Sequence, residues 1–93
     1  MNTIYKFYAD CDRMGSLEGI FISTPEQVTS IIGKEVYFGE VLGKHSDISL
    51  ILEDIDFDLI TQDQEFIDKC IHYFGEGTIS GYNPFDYIED DEE

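Results

Sequence analysis

Three aspartates alternate with apolar residues in segment 54–59 (DIDFDL). If this segment is a β-strand, alternate residues project from one face at intervals of about 6.6–6.8 Å, which is two strand rises. A row of carboxylates at that spacing could imitate a line of phosphates and occupy a nucleic-acid-binding groove of a partner. The alternative is a solvated strand face whose charges keep a sheet edge from aggregating. Asp54, Asp56 and Asp58 are therefore candidate partner-binding residues.

The same acids pass part of the test for a calcium loop. Asp54, Asp56, Asp58 and Glu65 fall at the first, third, fifth and twelfth positions of such a loop. The sixth position, which needs glycine for a sharp turn, is Leu59, and the preceding residues alternate like a strand rather than a helix. The sequence therefore argues against calcium, and we expect no metal or other cofactor.

Two further stretches carry residue types suited to chemistry. Asp10 and Asp12 flank a cysteine and could hold a divalent ion, although aspartates at such positions commonly cap loops and no histidine lies near to activate the thiol. Lys44 and His45, in the 43–46 turn, could grip a phosphate or carboxylate, although this composition is ordinary for a hairpin turn. Together these residues define the alternative function, a small-ligand, anion-binding or hydrolytic domain.

The cysteines and histidines do not have zinc-site spacing. Cys70 and His72 are two residues apart on a predicted helix, so they point in different directions, and neither Cys11 nor His45 completes a usual ligand pattern. Two cysteines also do not make a disulfide framework. The first residues lack a signal-peptide pattern, and no stretch approaches the roughly 18 apolar residues of a membrane span. We expect a cytoplasmic protein with reduced thiols.

Charge is distributed unevenly along the chain. The 93 residues include 21 Asp and Glu against 5 Lys and Arg, for a formal net charge of −16. Residues 1–46 hold 6 acids and 4 bases, whereas residues 47–93 hold 15 acids and one base, Lys69. Such an acidic half repels nucleic acid and anionic membranes and attracts cationic protein surfaces.

The elements that would position these residues follow from hydrophobic periodicity and turn chemistry. Hydrophobic residues make up 42% of the chain, including seven Phe and six Tyr, which predicts one compact domain over residues 1–88. Residues 89–93 form an acidic run that we expect to fray. The predicted elements are strands 3–9 and 17–23, helix 25–32, strands 35–42, 47–52 and 54–59, and a helix at roughly 63–74.

The predicted fold is α+β, in the order ββαβββα, with two helices covering one antiparallel sheet. The first helix begins with a capping-box pattern at Thr24 and Gln27, and the second carries one apolar stripe and ends at Gly75. Segment 77–88 is expected to pack back onto the domain. The predicted core comprises Ile4, Phe21, Val28, Ile31, Ile32, Phe38, Leu50, Leu52, Phe66, Ile67, Cys70 and Ile71.

In size, charge and compactness the chain resembles the small acidic proteins of phages and mobile elements, among them anti-CRISPR and DNA-mimic inhibitors. Segments 37–46 (YFGEVLGKHS) and 81–88 (GYNPFDYI) look like segments of small bacterial and phage proteins. The resemblance covers the whole chain in composition only. It implies an inhibitor and carries over no functional residue.

These observations favour an interaction protein over an enzyme, because neither histidine has a recognisable catalytic partner. We expect it to bind and block a basic surface of a nucleic-acid-handling partner protein, with acids steering association and exposed aromatics anchoring it. A protein acting through its own oligomer is a third class. The expected partner-binding residues are Asp54, Asp56, Asp58, Asp63, Glu65, Tyr82 and Tyr87, with the 89–93 tail adding charge.

Overall fold

The computed structural model describes residues 1–11, 15–40 and 47–88. Within these ranges the chain forms an α+β structure, which confirms the predicted class, and short 3-10 helices lie at Asp54–Asp56 and Pro84–Asp86. The strands and α-helices are β1 (Thr3–Asp10), β2 (Ser16–Ser23), α1 (Pro25–Ile31), β3 (Glu35–Gly39), β4 (Ile48–Ile51), β5 (Phe57–Thr61), α2 (Gln64–Phe74) and β6 (Thr78–Gly81).

The strands form two sheets rather than the single sheet predicted. One has four strands in the order β5-β1-β2-β6, and the other is the β3–β4 pair; all the neighbouring strands are antiparallel. The order is ββαβββαβ, because β6 follows α2 and pairs with β2. Sequence reasoning missed β6 because it is short and glycines lie on both sides of its apolar part, a composition typical of turns.

The main core joins one face of the four-stranded sheet to α1 and the β3–β4 pair. On β1, Tyr5 and Phe7 point into this core, and Phe21 joins them from β2. Phe7 stacks on Phe38 of β3 with ring centroids 6.0 Å apart. The predicted alternation of β3 is confirmed, since Val36 and Phe38 are buried and the residue between them is exposed.

Helix α1 begins as its sequence predicts. The Thr24 hydroxyl accepts a hydrogen bond from the Gln27 backbone N–H at 3.1 Å, and the Gln27 side chain accepts one from the Thr24 N–H at 3.2 Å. This reciprocal capping box satisfies two N–H groups that a helix start otherwise leaves unpaired. The helix ends one residue before the predicted limit, with Ile32 as its C-cap.

Helix α2 covers part of the opposite face of the four-stranded sheet. Ile67 and Cys70 pack with Ile4 of β1 in a second, smaller core. Asp63, one of the two residues that the sequence offers as a cap, is the N-cap, and Gly75 ends the helix with φ 85°, as predicted. Phe66, predicted to be buried, is 52% exposed, because only a narrow stripe of the helix touches the sheet.

The other core predictions hold in full or in part. Ile32, Leu50 and Ile71 are partly buried against the cores. The predicted core residues that are buried are Ile4, Phe21, Val28, Ile31, Phe38, Leu52, Ile67 and Cys70.

The segment after β6 packs back onto the main core, as expected. Phe85 meets Phe21 edge-to-face with ring centroids 5.7 Å apart, and Tyr82, Tyr87 and Ile88 pack on the same core. In the described ranges no helix has the length and apolar character needed to cross a membrane.

Candidate protein-binding surface

The three aspartates of segment 54–59 do not form a row, so the predicted strand is wrong for its first half. Asp54–Asp56 is a 3-10 helix, and β5 begins only at Phe57. The Glu53 N–H donates to the Asp56 carboxylate at 3.0 Å, and the Asp56 N–H donates to the Glu53 carbonyl, also at 3.0 Å. These local bonds compete with strand pairing. Because a 3-10 helix has three residues per turn, Asp54 and Asp56 point in different directions.

Asp58 is the one member of this trio that lies on a strand. It is exposed on β5 and lies directly opposite Lys6 of β1, on the same face of the sheet. Residues opposite one another on an antiparallel pair have Cβ atoms about 4.5–5.5 Å apart, so the lysine offsets part of the charge of Asp58. The outward side of Asp58 remains open to a second cation.

Asp63 has a structural role in addition to its charge. Its carboxylate accepts hydrogen bonds from the backbone N–H groups of Glu65 at 3.1 Å and Phe66 at 3.4 Å. It thereby caps α2, whose N-terminal end also favours negative charge through the helix dipole. Glu65 and Asp68 are exposed on the helix and have no such capping role.

Residues 53–68, here called the acidic segment, hold seven acids and no lysine or arginine. Six of these acids are exposed, and Asp56 is partly exposed. The seven are Glu53, Asp54, Asp56, Asp58, Asp63, Glu65 and Asp68.

Apolar side chains are exposed along the same acidic segment. Ile55 is 79% exposed, Leu59 51%, Ile60 53% and Phe66 52%. Strict alternation in segment 54–59 is typical of a half-buried edge or surface strand, and β5 does lie at the edge of the sheet. Of the three apolar residues in this segment, however, only Phe57 is buried. The described structure does not cover Leu59 or the next residue, Ile60. The segment therefore presents acids and apolar groups together.

Tyr82 and Tyr87 are not the exposed anchors predicted from the sequence. Both are partly buried against the main core, with ring centroids 6.4 Å and 4.7 Å from that of Phe38. Aromatic pairs at such separations stabilise packing. These tyrosines therefore hold the 82–88 segment in place. Phe66 and Tyr73 of α2 are aromatic residues more exposed than either of them.

The other candidate chemical residues lie either outside the described ranges or apart from one another. Lys44, His45, Asp12 and the 89–93 tail lie outside the described residues. Cys11 is buried in the main core, whereas Cys70 is buried in the second core on the opposite face of the sheet, and His72 is exposed. The two thiols therefore do not share a site. Across residues 1–11, 15–40 and 47–88, no group of three or more His, Cys, Asp or Glu is placed to hold a metal ion.

Three cavities on the described surface differ in size and lining. A cavity of about 450 Å³ beside α1 is wide open to solvent and is lined by only four residues, 25, 26, 29 and 30. A second, of about 380 Å³, is lined partly by Ser23, Thr24 and Gln27, whose polar atoms bond one another at 2.9 and 3.2 Å. A third, of about 270 Å³, borders Lys6.

Two tyrosines have raised pKa values. Burial raises the pKa of Tyr5 above its ordinary value of 10.0, and the negative charge of Glu26 adds to the effect. The charge of Asp47 is the main cause that raises the pKa of Tyr37, an exposed residue of β3. A nearby carboxylate contributes to both shifts, but burial is the larger cause at Tyr5.

Within the described residues, the acidic segment combines negative charge, exposed apolar groups and a sheet edge. Comparisons of the chain with protein-family models, with curated proteins and with solved structures found no match.

Proposed function

We propose that this is an acidic interaction protein that binds a basic surface of a nucleic-acid-handling partner protein and blocks it, as an inhibitor or DNA mimic. The observation that carries the proposal is the acidic segment, which holds seven acids and no base and is exposed almost throughout. The electrostatic field of a cluster of negative charges attracts a positively charged surface over distances well beyond contact. A nucleic-acid-binding groove is a strongly basic surface of this kind, because it neutralises phosphates with lysine and arginine.

Exposed apolar groups supply the second part of the proposal. Charges set the rate and specificity of association more than its affinity, which depends on buried anchor contacts. Ile55, Leu59, Ile60 and Phe66 lie among the acids and are each more than half exposed. They take the anchoring role that the sequence had suggested for Tyr82.

Mimicry would act through the overall field rather than through phosphate spacing. Asp54, Asp56 and Asp58 do not repeat at strand intervals, because the first two belong to a 3-10 helix. The protein would exclude nucleic acid by occupying the same basic surface, without catalysing a reaction, as the resemblance to anti-CRISPR and DNA-mimic inhibitors implies. Both cysteines are buried, and the cytoplasm, where we place this activity, keeps such thiols reduced.

The experiment is capture of the partner followed by a competition assay. The tagged protein is used to purify its partner from the native host, the partner is identified by mass spectrometry, and the complex is rebuilt from purified components. We expect the partner to bind nucleic acid when alone and to release it as the protein is added. A partner that retains its nucleic acid while fully bound by the protein would refute the blocking mechanism.

A further inference from the structure

Strand β5 is an open edge in the described structure. The four-stranded sheet ends at β5, which pairs on its inner side with β1 and has no strand on its outer side in the ranges described. Asp58, Leu59 and Ile60 are exposed there. An edge strand presents unpaired backbone N–H and C=O groups, and proteins protect such edges with charged side chains, proline, bulges or short strands. The five-residue β5 has no proline and one charged residue, Asp58, whose charge repels another acidic edge but not a basic segment.

The opposite edge, β6, is engaged by its own chain at the side chain of Thr78. Its hydroxyl donates to the Asp86 carboxylate at 3.3 Å and accepts from the Asn83 amide at 3.0 Å. The strand itself has no charged residue. The two edges of the sheet therefore differ, because β5 carries Asp58 and lies within the acidic segment.

We propose that β5 receives an extended basic segment of the partner as an additional strand of the sheet. This inference rests on the proposed function and specifies how the partner is recognised. In such strand addition, backbone hydrogen bonds supply affinity, and alternate side chains supply specificity. Asp58 lies on the Lys6 face of the sheet and Leu59 on the Tyr5 face, so the added strand would place a lysine or arginine beside Asp58 and an apolar residue beside Leu59.

Charge excludes a second copy of this chain as the occupant. Pairing β5 with β5 of another molecule would bring together two acidic segments on chains of net charge −16. Like charges directly opposite one another in a sheet are destabilising. A cationic extended segment relieves the same repulsion, so the occupant is basic.

The test uses a synthetic peptide that alternates lysine and isoleucine, and a matched peptide whose backbone amides are all N-methylated. Both carry the same charge and side chains, but the second lacks backbone N–H donors. At low salt we expect the full chain to bind the unmodified peptide at least about tenfold more tightly than the N-methylated peptide. A difference of that size corresponds to one or two net hydrogen bonds that the N-methylated peptide cannot make. We also expect slower amide exchange in residues 57–61 and not in residues 78–81.

Two variants locate the contact. Asp58→Lys should weaken binding of the unmodified peptide, whereas Glu76→Lys, an equal change of charge at an exposed site beyond α2, should weaken it much less. Equal binding of both peptides would show attraction by charge alone, which overturns strand addition but leaves the proposed function standing. Absence of binding at low salt, protection at residues 78–81, or dimerisation through β5 would also overturn strand addition. The competition assay decides the proposed function separately.

Discussion

Gly19 is the residue at which the structure leaves least room for a side chain. It lies directly opposite Gly81 where β2 pairs with β6, and a Cβ at this position would collide with the Tyr82 carbonyl oxygen. Because the obstacle is backbone, it does not move aside easily. We expect Gly19→Ala to lower the free energy of unfolding by roughly 1–3 kcal/mol or more, measured by urea denaturation. Ser80→Ala, on the exposed part of β6, should stay within about 0.5 kcal/mol of the parent.

An unchanged urea midpoint for Gly19→Ala would mean that β6 does not approach β2 as closely as described. The sequence shows both glycines but not their pairing. Their meeting depends on a contact between residues more than sixty positions apart, which no local pattern reveals.

The raised pKa values of Tyr5 and Tyr37 predict a loss of stability at alkaline pH. Both pKa values lie above the ordinary 10.0, so above that pH the folded state holds protons that the unfolded chain releases. The stabilisation is complete below pH 10 and is lost as the pH rises through the folded-state values. We expect a variant with Tyr5→Phe and Tyr37→Phe to lose less stability between neutral and strongly alkaline pH. An identical loss in parent and variant, by denaturant titration, would contradict this account.

At the scale of elements, the capping box defines where α1 begins. Removing the Thr24 hydroxyl leaves the Gln27 N–H without its partner, and such caps contribute about 1 kcal/mol. We expect Thr24→Ala to lower the free energy of unfolding by roughly 0.5–2 kcal/mol. Thr29→Ala, an exposed substitution of the same type within the helix, is the control. Equal effects of the two changes would show that the cap does not stabilise the helix.

Local sequence signals predicted the helices and strands better than they predicted which strands pair with one another. The capping box, Gly75 and the alternation of β3 are short-range features, and each was confirmed. Alternation misled at segment 54–59, where a bond between Glu53 and Asp56 closes a 3-10 helix. The division into two sheets was also missed, because strand pairing depends on distant residues. For the same reason Tyr82 and Tyr87 looked exposed in sequence but lie against Phe38.

At the scale of the whole molecule, the uneven charge was visible in the sequence, and the structure adds the apolar groups beside it. Residue counts located the acids in the second half of the chain. They did not reveal that Leu59 and Ile60 lie on an open edge with more than half of each side chain exposed. The candidate surface therefore combines charge, which composition predicts, with a sheet edge, which the alternation of segment 54–59 indicates and the strand order places at β5.

The acids of the acidic segment fall into two groups, and the difference matters for any charge-reversal experiment. Asp56 and Asp63 accept backbone hydrogen bonds, so replacing them would disturb the 3-10 helix and α2. Asp54, Asp58 and Glu65 are exposed and make no such capping bond, so their charge can be reversed with less effect on folding.

The most direct measurement is the association rate of the purified partner with two charge-reversed variants. The first variant carries Asp54→Lys, Asp58→Lys and Glu65→Lys. The second carries Glu26→Lys, Glu40→Lys and Glu76→Lys, which replace exposed acids outside the acidic segment. Both change the net charge equally. We expect the first to slow association strongly at low salt and the second to slow it far less. The difference should fade as ionic strength passes about 0.15 M, where the screening length is about 8 Å. Equal rates for the two variants at low salt would contradict a binding role for the acidic segment.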